Sequence, residues 1–234
     1  MEISRKLRLA GILALLGAVA LAGDFEWDWH NQEVISRNDP SLSTTSKLTE
    51  PERNELLDAV IARLLKPLTA AGYSDDRIRE IALTTRLRFV DLGEGKPVIL
   101  AESLGIEGGC DVLVNCPFWV FRHTEDGYVS LLEAVAASYT VQPTSSDGYS
   151  DLVIARHTTP SETRLTVYKY AEGKYSDAGC YTAIFAPAKQ GEGISNPAVS
   201  PCGGEAKEPT KDEPKEQSAP SEQPKEVPKS DEVH

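Results

Sequence analysis

Apolar positions change period once along the chain, from a helical spacing to a strand spacing. Leu56, Leu57, Val60, Ile61, Leu64 and Leu65 recur at i, i+1, i+4 and i+5, which places them on one buried helical face. Thr49-Glu50-Pro51-Glu52 supplies the start, with a glutamate placed to reciprocate the threonine and a proline in the first turn, where its missing N–H is harmless. Pro67 predicts the end, so this helix is expected over 50–66. Glu52, Glu55 and Asp58 make the polar face partly acidic, which favours packing on a core over lying on a membrane. Ser74, Asp75 and Asp76 open a shorter helix over 75–83 through Ile78, Ile81 and Ala82.

From Thr84 the pattern is β. Leu87 and Phe89 alternate with Arg86 and Arg88, and Asp91 to Lys96 turns the chain into Val98 to Glu102. Phe118 to Arg122 and Tyr128 to Leu132 flank Asp126-Gly127, a dipeptide suited to a tight reversal. Tyr139 to Gln142, Leu152 to Arg156, Arg164 to Tyr170 with a turn toward Tyr175, and Cys180 to Phe185 are further strands. VDLGEGKPVILAES is loosely similar to TSSDGYSDLVIARH, and WVFRHTEDGY to TVYKYAEGKY. The expectation is an α+β fold, mainly β: an antiparallel β-meander or small sandwich from two repeated units, with the N-terminal helix packed on it.

The ends differ from this body. Arg5, Lys6 and Arg8 precede an uncharged run from Leu9 to Ala22 that closes on Ala20-Leu21-Ala22, the layout of a removed signal peptide and too short for a membrane span. Residues 23–46 are polar and carry Phe25, Trp27, Trp29 and His30 among Asp24, Glu26 and Asp28. They are expected as a flexible arm, its rings packed on its own domain or offered to a partner. Residues 47–202 form the single folded domain, and 203–234, rich in Pro, Glu and Lys, cannot bury enough surface to fold.

Export changes the reading of the cysteines, because disulfides persist in an oxidising compartment. Four cysteines allow three connectivities. Cys110 with Cys116 is the expected pair, since the five residues between them can return the chain before the following strand, leaving Cys180 for Cys202. Neither pair has zinc-knuckle spacing and no histidine stands at ligand spacing, so no metal or other cofactor is expected. Residues 1–22 carry three basic side chains and one acid, so without them the formal charge goes from −12 to −14. That disfavours nucleic acid and anionic membrane surfaces and favours a cationic partner, either a protein or an envelope ligand.

The Asp-Gly turns that lead into aliphatic strands resemble the hairpins of secreted FG-GAP or VCBS-type β-repeats over about residues 84–176. Asp147, Gly148 and Asp151, with Ser145, match part of that family's calcium loop; Asp91, Glu94 and Gly95 match a shorter version. The resemblance implies a β-rich exported binding or surface protein and supplies no catalytic residue. Both loops hold fewer carboxylates than calcium requires.

Glycines 105, 108 and 109 lack the spacing of a phosphate loop, and the common hydrolase signatures are absent. One constellation is suggestive: Arg122-His123-Thr124 and Arg156-His157-Thr158 repeat a triplet at two strand ends. Side by side they would make a cationic binding site or, with Asp126, an acid–base site; as solvated strand ends they would do neither. The function classes are then an exported, non-catalytic binding or cell-envelope protein, an exported inhibitor of a cationic enzyme such as a lysozyme, and a hydrolase using His123 and His157.

Overall fold

A computed structural model describes residues 25, 27–93, 95, 97–186 and 196–203. The expected leader and nearly all of the tail lie outside them. Two helices, α1 (Glu50–Ala70) and α2 (Asp75–Leu83), precede nine strands. Strands β1 (Arg86–Asp91), β2 (Pro97–Glu102), β3 (Cys116–Thr124) and β4 (Gly127–Ala136) form one antiparallel sheet in chain order. Strands β5 (Ser138–Ser146), β6 (Tyr149–Thr159), β7 (Glu162–Ala171), β8 (Lys174–Ile184) and β9 (Ala198–Pro201) form a second, also in chain order. The fold is α+β and mainly β, two meanders packed as a sandwich with helices on one side.

The order of layers explains the sequence. Leu56, Val60 and Leu64 of α1 and Ile78 of α2 pack on Leu87, Ile99, Trp119 and Phe121. From the other face of the same strands, Val98, Leu100, Phe118 and Val120 meet Leu152, Ile154, Tyr149 and Tyr170 of the second sheet. The second sheet's outer face, with Val153, Ala155, Leu165 and Ala183, is covered by Trp27 and by Phe25 and Trp29. Central strands are therefore buried on both faces and read as unbroken apolar runs, Val98 to Ala101, Phe118 to Phe121 and Leu152 to Ala155.

The start of α1 forms as the sequence predicts, with the Thr49 amide donating to the Glu52 carboxylate at 2.7 Å. Its end does not. The helix continues through Pro67 to Ala70, because Leu68, buried in the core at 5 % exposure, rewards another turn despite the missing proline N–H. Residues 27–46 also depart from the expected flexible arm. Ile35 and Leu42 are buried, Glu33 bridges to Tyr139, and Ser41 bridges to Arg86. The folded body thus begins well before residue 47.

Both expected disulfides are present, Cys110–Cys116 and Cys180–Cys202. The second joins β8 to the turn after β9, a strand too short to stand out in the sequence. The two turns aligned in the sequence, around Gly93 and Gly148, touch: the Ser150 amide donates to the Leu92 carbonyl at 2.6 Å. Asp151, 1 % exposed, accepts from the Thr144 and Ser146 hydroxyls at 2.8 and 2.7 Å.

Candidate functional site

The two Arg-His-Thr triplets belong to different sheets. Arg122 points between the sheets, where its guanidinium donates to the Tyr149 and Tyr170 hydroxyls at 3.0 and 3.1 Å. His123, the next residue along the strand, faces the helices and sits 3.2 Å from Glu55 of α1. His157 in β6 shares a 3.0 Å hydrogen bond with the Thr163 hydroxyl, and Arg156 is exposed.

Contacts between β3 and β6 run in opposite senses: Arg122 meets Tyr149 at the start of β6, while Asn115, just before β3, meets His157 near its end. Seven residues separate Asn115 from Arg122, roughly 23 Å of strand at ~3.3 Å per residue. The fold does not build the shared edge that a common site for His123 and His157 requires. The His157–Thr163 pair has no nucleophilic character to offer a substrate either, since Thr163 is 2 % exposed. Among the described residues no group of three or more His, Cys, Asp or Glu side chains is placed to hold a metal ion.

His157 instead anchors a loop. Its backbone N–H donates to the Asn115 side-chain carbonyl at 2.8 Å, and its carbonyl accepts from the Asn115 amide at 2.9 Å. Asn115 is wholly buried, and the same amide donates to Asp111 at 2.8 Å. Asp111 accepts in turn from the backbone N–H groups of Leu113 and Asn115 at 2.9 and 3.0 Å. The Asn115 side chain first, then that backbone, holds the Asp111 carboxyl below its ordinary range. The Cys110–Cys116 bridge closes the ring over a Cα separation of 4.0 Å.

The Asp111 and Asn115 side chains are engaged inward, Leu113 is half-buried, and Val112 and Val114 face water. Val112 is 93 % exposed and Val114 69 %, with Ile106 of the preceding turn at 80 %; no other large apolar side chain among the described residues exceeds 53 %. Val114 also sits at φ 63°, a left-handed conformation that a β-branched side chain resists. The loop thus combines backbone strain at Val114 with exposed apolar surface on a tip held by a hydrogen-bond ring. Replacing Val114 by glycine should raise stability by up to about 1 kcal/mol in urea unfolding, because glycine accepts this backbone freely. A loss of stability would show that the valine side chain packs.

The sequence flagged both cysteines and both triplets but not this tip, since Val-Leu-Val between cysteines reads as readily as core. The available signal was the pairing itself: a six-residue separation leaves the enclosed side chains little core to enter. Comparison of the chain with protein-family models, with curated proteins and with solved structures returned no match.

Proposed function

We propose that the chain is an exported, non-catalytic binding protein of the cell envelope that docks on a protein partner through the Cys110–Cys116 loop. The observation that carries this reading is the exposure of Val112 and Val114 on a tip pre-shaped by a disulfide and by Asp111 and Asn115. A pre-ordered loop loses little conformational freedom on binding, so its small apolar surface counts for more. The partner is a basic protein with an apolar cleft, because a formal charge of −12 steers cationic surfaces toward the chain. Export rests on the apolar leader and the two disulfides, and the resemblance of the Asp-Gly turns to FG-GAP hairpins supports the same reading. Inhibition of a basic enzyme is the special case in which the cleft is an active site.

The test uses the immobilised chain, an envelope extract and two variants. Val112→Asp/Val114→Asp should lose at least tenfold in retention of a basic protein, about 1.4 kcal/mol or more, while Leu65→Asp, at an exposed apolar position on α1, should not. Retention by all three alike would sink the loop as the docking element. Binding of the wild type to phosphatidylglycerol vesicles in place of protein would replace the partner by a membrane.

A further inference from the structure

The N-terminal segment does more than cover the second sheet. Where it turns away from Trp27 it forms an open cleft of about 640 Å3 against β5, lined by Asp28, His30, Asn31 and Gln32 on one side and Thr140 and Gln142 on the other. A second cavity of about 410 Å3 adjoins it, sharing Asp28 and His30 and lined by Trp27, Trp29 and Asn196. The size of the combined space suits a small ligand.

Its walls are built. The turn Trp29–Asn31 is capped by Asp28, which accepts from the His30 N–H at 3.0 Å and from the Asn31 amide at 2.8 Å. Gln32 donates to the Trp29 carbonyl at 2.7 Å and accepts from the Ser138 hydroxyl. Glu33 and Tyr139 exchange two backbone hydrogen bonds at 2.8 and 2.9 Å. Trp29 donates to Asn196 at 2.9 Å and stacks on His30 with ring centroids 3.8 Å apart.

Two of the buried polar groups without a partner among the described residues lie here, with Thr85 and Ser103 among those elsewhere. The Thr140 hydroxyl and the Trp27 indole N–H are buried, their residues each 8 % exposed, and neither has a hydrogen-bond partner among the described residues. One lies at each cavity. A buried donor without a partner is destabilising, and native proteins carry few of them without a reason.

The charges select the ligand. Among the described residues the lining holds Asp28 and Glu33 and no lysine or arginine, which disfavours an anion. Glu33 is paired with Arg88 and Tyr139, each at 2.9 Å, and Asp28 already accepts two hydrogen bonds in its cap, so both carboxylates serve here chiefly as hydrogen-bond acceptors. What remains to meet a ligand is the Gln142 and Asn31 amides, the His30 imidazole and the edges of aromatic rings, with the buried Thr140 hydroxyl and Trp27 N–H behind them. Such groups match alternating hydroxyl donors and acceptors on an apolar ring skeleton. We propose that this cleft binds an uncharged saccharide.

Purified chain titrated with cellobiose, maltose and di-N-acetylchitobiose, followed by tryptophan emission and calorimetry, tests the proposal. At least one of the three should bind saturably with a Kd in the millimolar range or tighter. Gln142→Leu and Thr140→Val should each weaken it about tenfold or more. Thr140→Val should melt no lower than wild type, because it removes a buried hydroxyl that has no partner. Saturation by choline or by inorganic phosphate in place of the sugars would overturn the ligand class. No saturation by any of the three disaccharides, or wild-type affinity in both variants, would overturn the site.

Discussion

Replacing Glu102 by glutamine should stabilise the fold at neutral and alkaline pH and flatten its pH dependence between 4.5 and about 8. Glu102 ends β2 opposite Arg86 and Phe118, alternates with Val98 and Leu100 on the inter-sheet face, and is 6 % exposed. Burial pushes its carboxyl up to about 8, with Arg88 opposing the rise and Asp39 adding to it. In that window the folded chain holds a proton that the unfolded chain has released, so linkage makes stability fall as pH rises. The contribution is full below the unfolded value of 4.5 and is lost as pH climbs through about 8. At about 1.4 kcal/mol per pH unit the loss is on the order of 4 kcal/mol across the window. Urea unfolding of both proteins across the window is the measurement: the curves should meet in acid, separate steadily above 4.5 and stop separating above about 8. Parallel curves would mean that water or a local opening solvates the carboxylate.

Arg88→Met should cost about 3 kcal/mol at neutral pH, the range for leaving partly buried carboxylates without their cation. From β1 the guanidinium reaches Asp39 at 2.8 Å, Glu33 at 2.9 Å, the Tyr139 hydroxyl at 3.0 Å and the Val34 carbonyl at 2.9 Å. One side chain thereby fastens the segment 33–39 across the sandwich. Burial alone would raise the Asp39 carboxyl, but hydrogen bonds from Arg88 and Ser36 outweigh it and hold the group below its usual range. Its stabilising share is thus present at neutral pH and lost as pH falls through that lowered value, so the variant's deficit should shrink in acid. A cycle with Glu102→Gln should be non-additive above about pH 8, where Glu102 ionises near Arg88, and close to additive at neutral pH, where it holds a proton. Additivity within about 0.5 kcal/mol on the alkaline side as well would separate the two sites energetically.

These two groups show how far local pattern carries. The helical stripe from Leu56 to Leu64, the Thr49 and Ser74 starts and the Asp-Gly reversals are decided by neighbours a few positions away and are legible, whereas Leu65, expected on the buried face, is exposed. The helix end was misread at Pro67 because the reward for continuing lies in a contact of Leu68 with a distant layer. Residues 23–46 were read as an arm because polar composition cannot show that Ile35 and Leu42 have places waiting in two cores. The site was half legible: the cysteines and His157 stood out, but the part of His157 in holding Asn115 is invisible without a partner 42 positions away.

By itself the sequence determined the helix faces, the run of strands, the cysteine pairing and the acidic charge, because periodicity, turn chemistry and short loop closure act within a few residues of chain. Only the tertiary structure decided that Val112 and Val114 face water while Glu102 does not, that the triplets part into separate sheets, and that Thr140 and Trp27 are buried without partners. Those outcomes depend on which surfaces meet across the sandwich, and solvent exposure is a property of that meeting rather than of any residue.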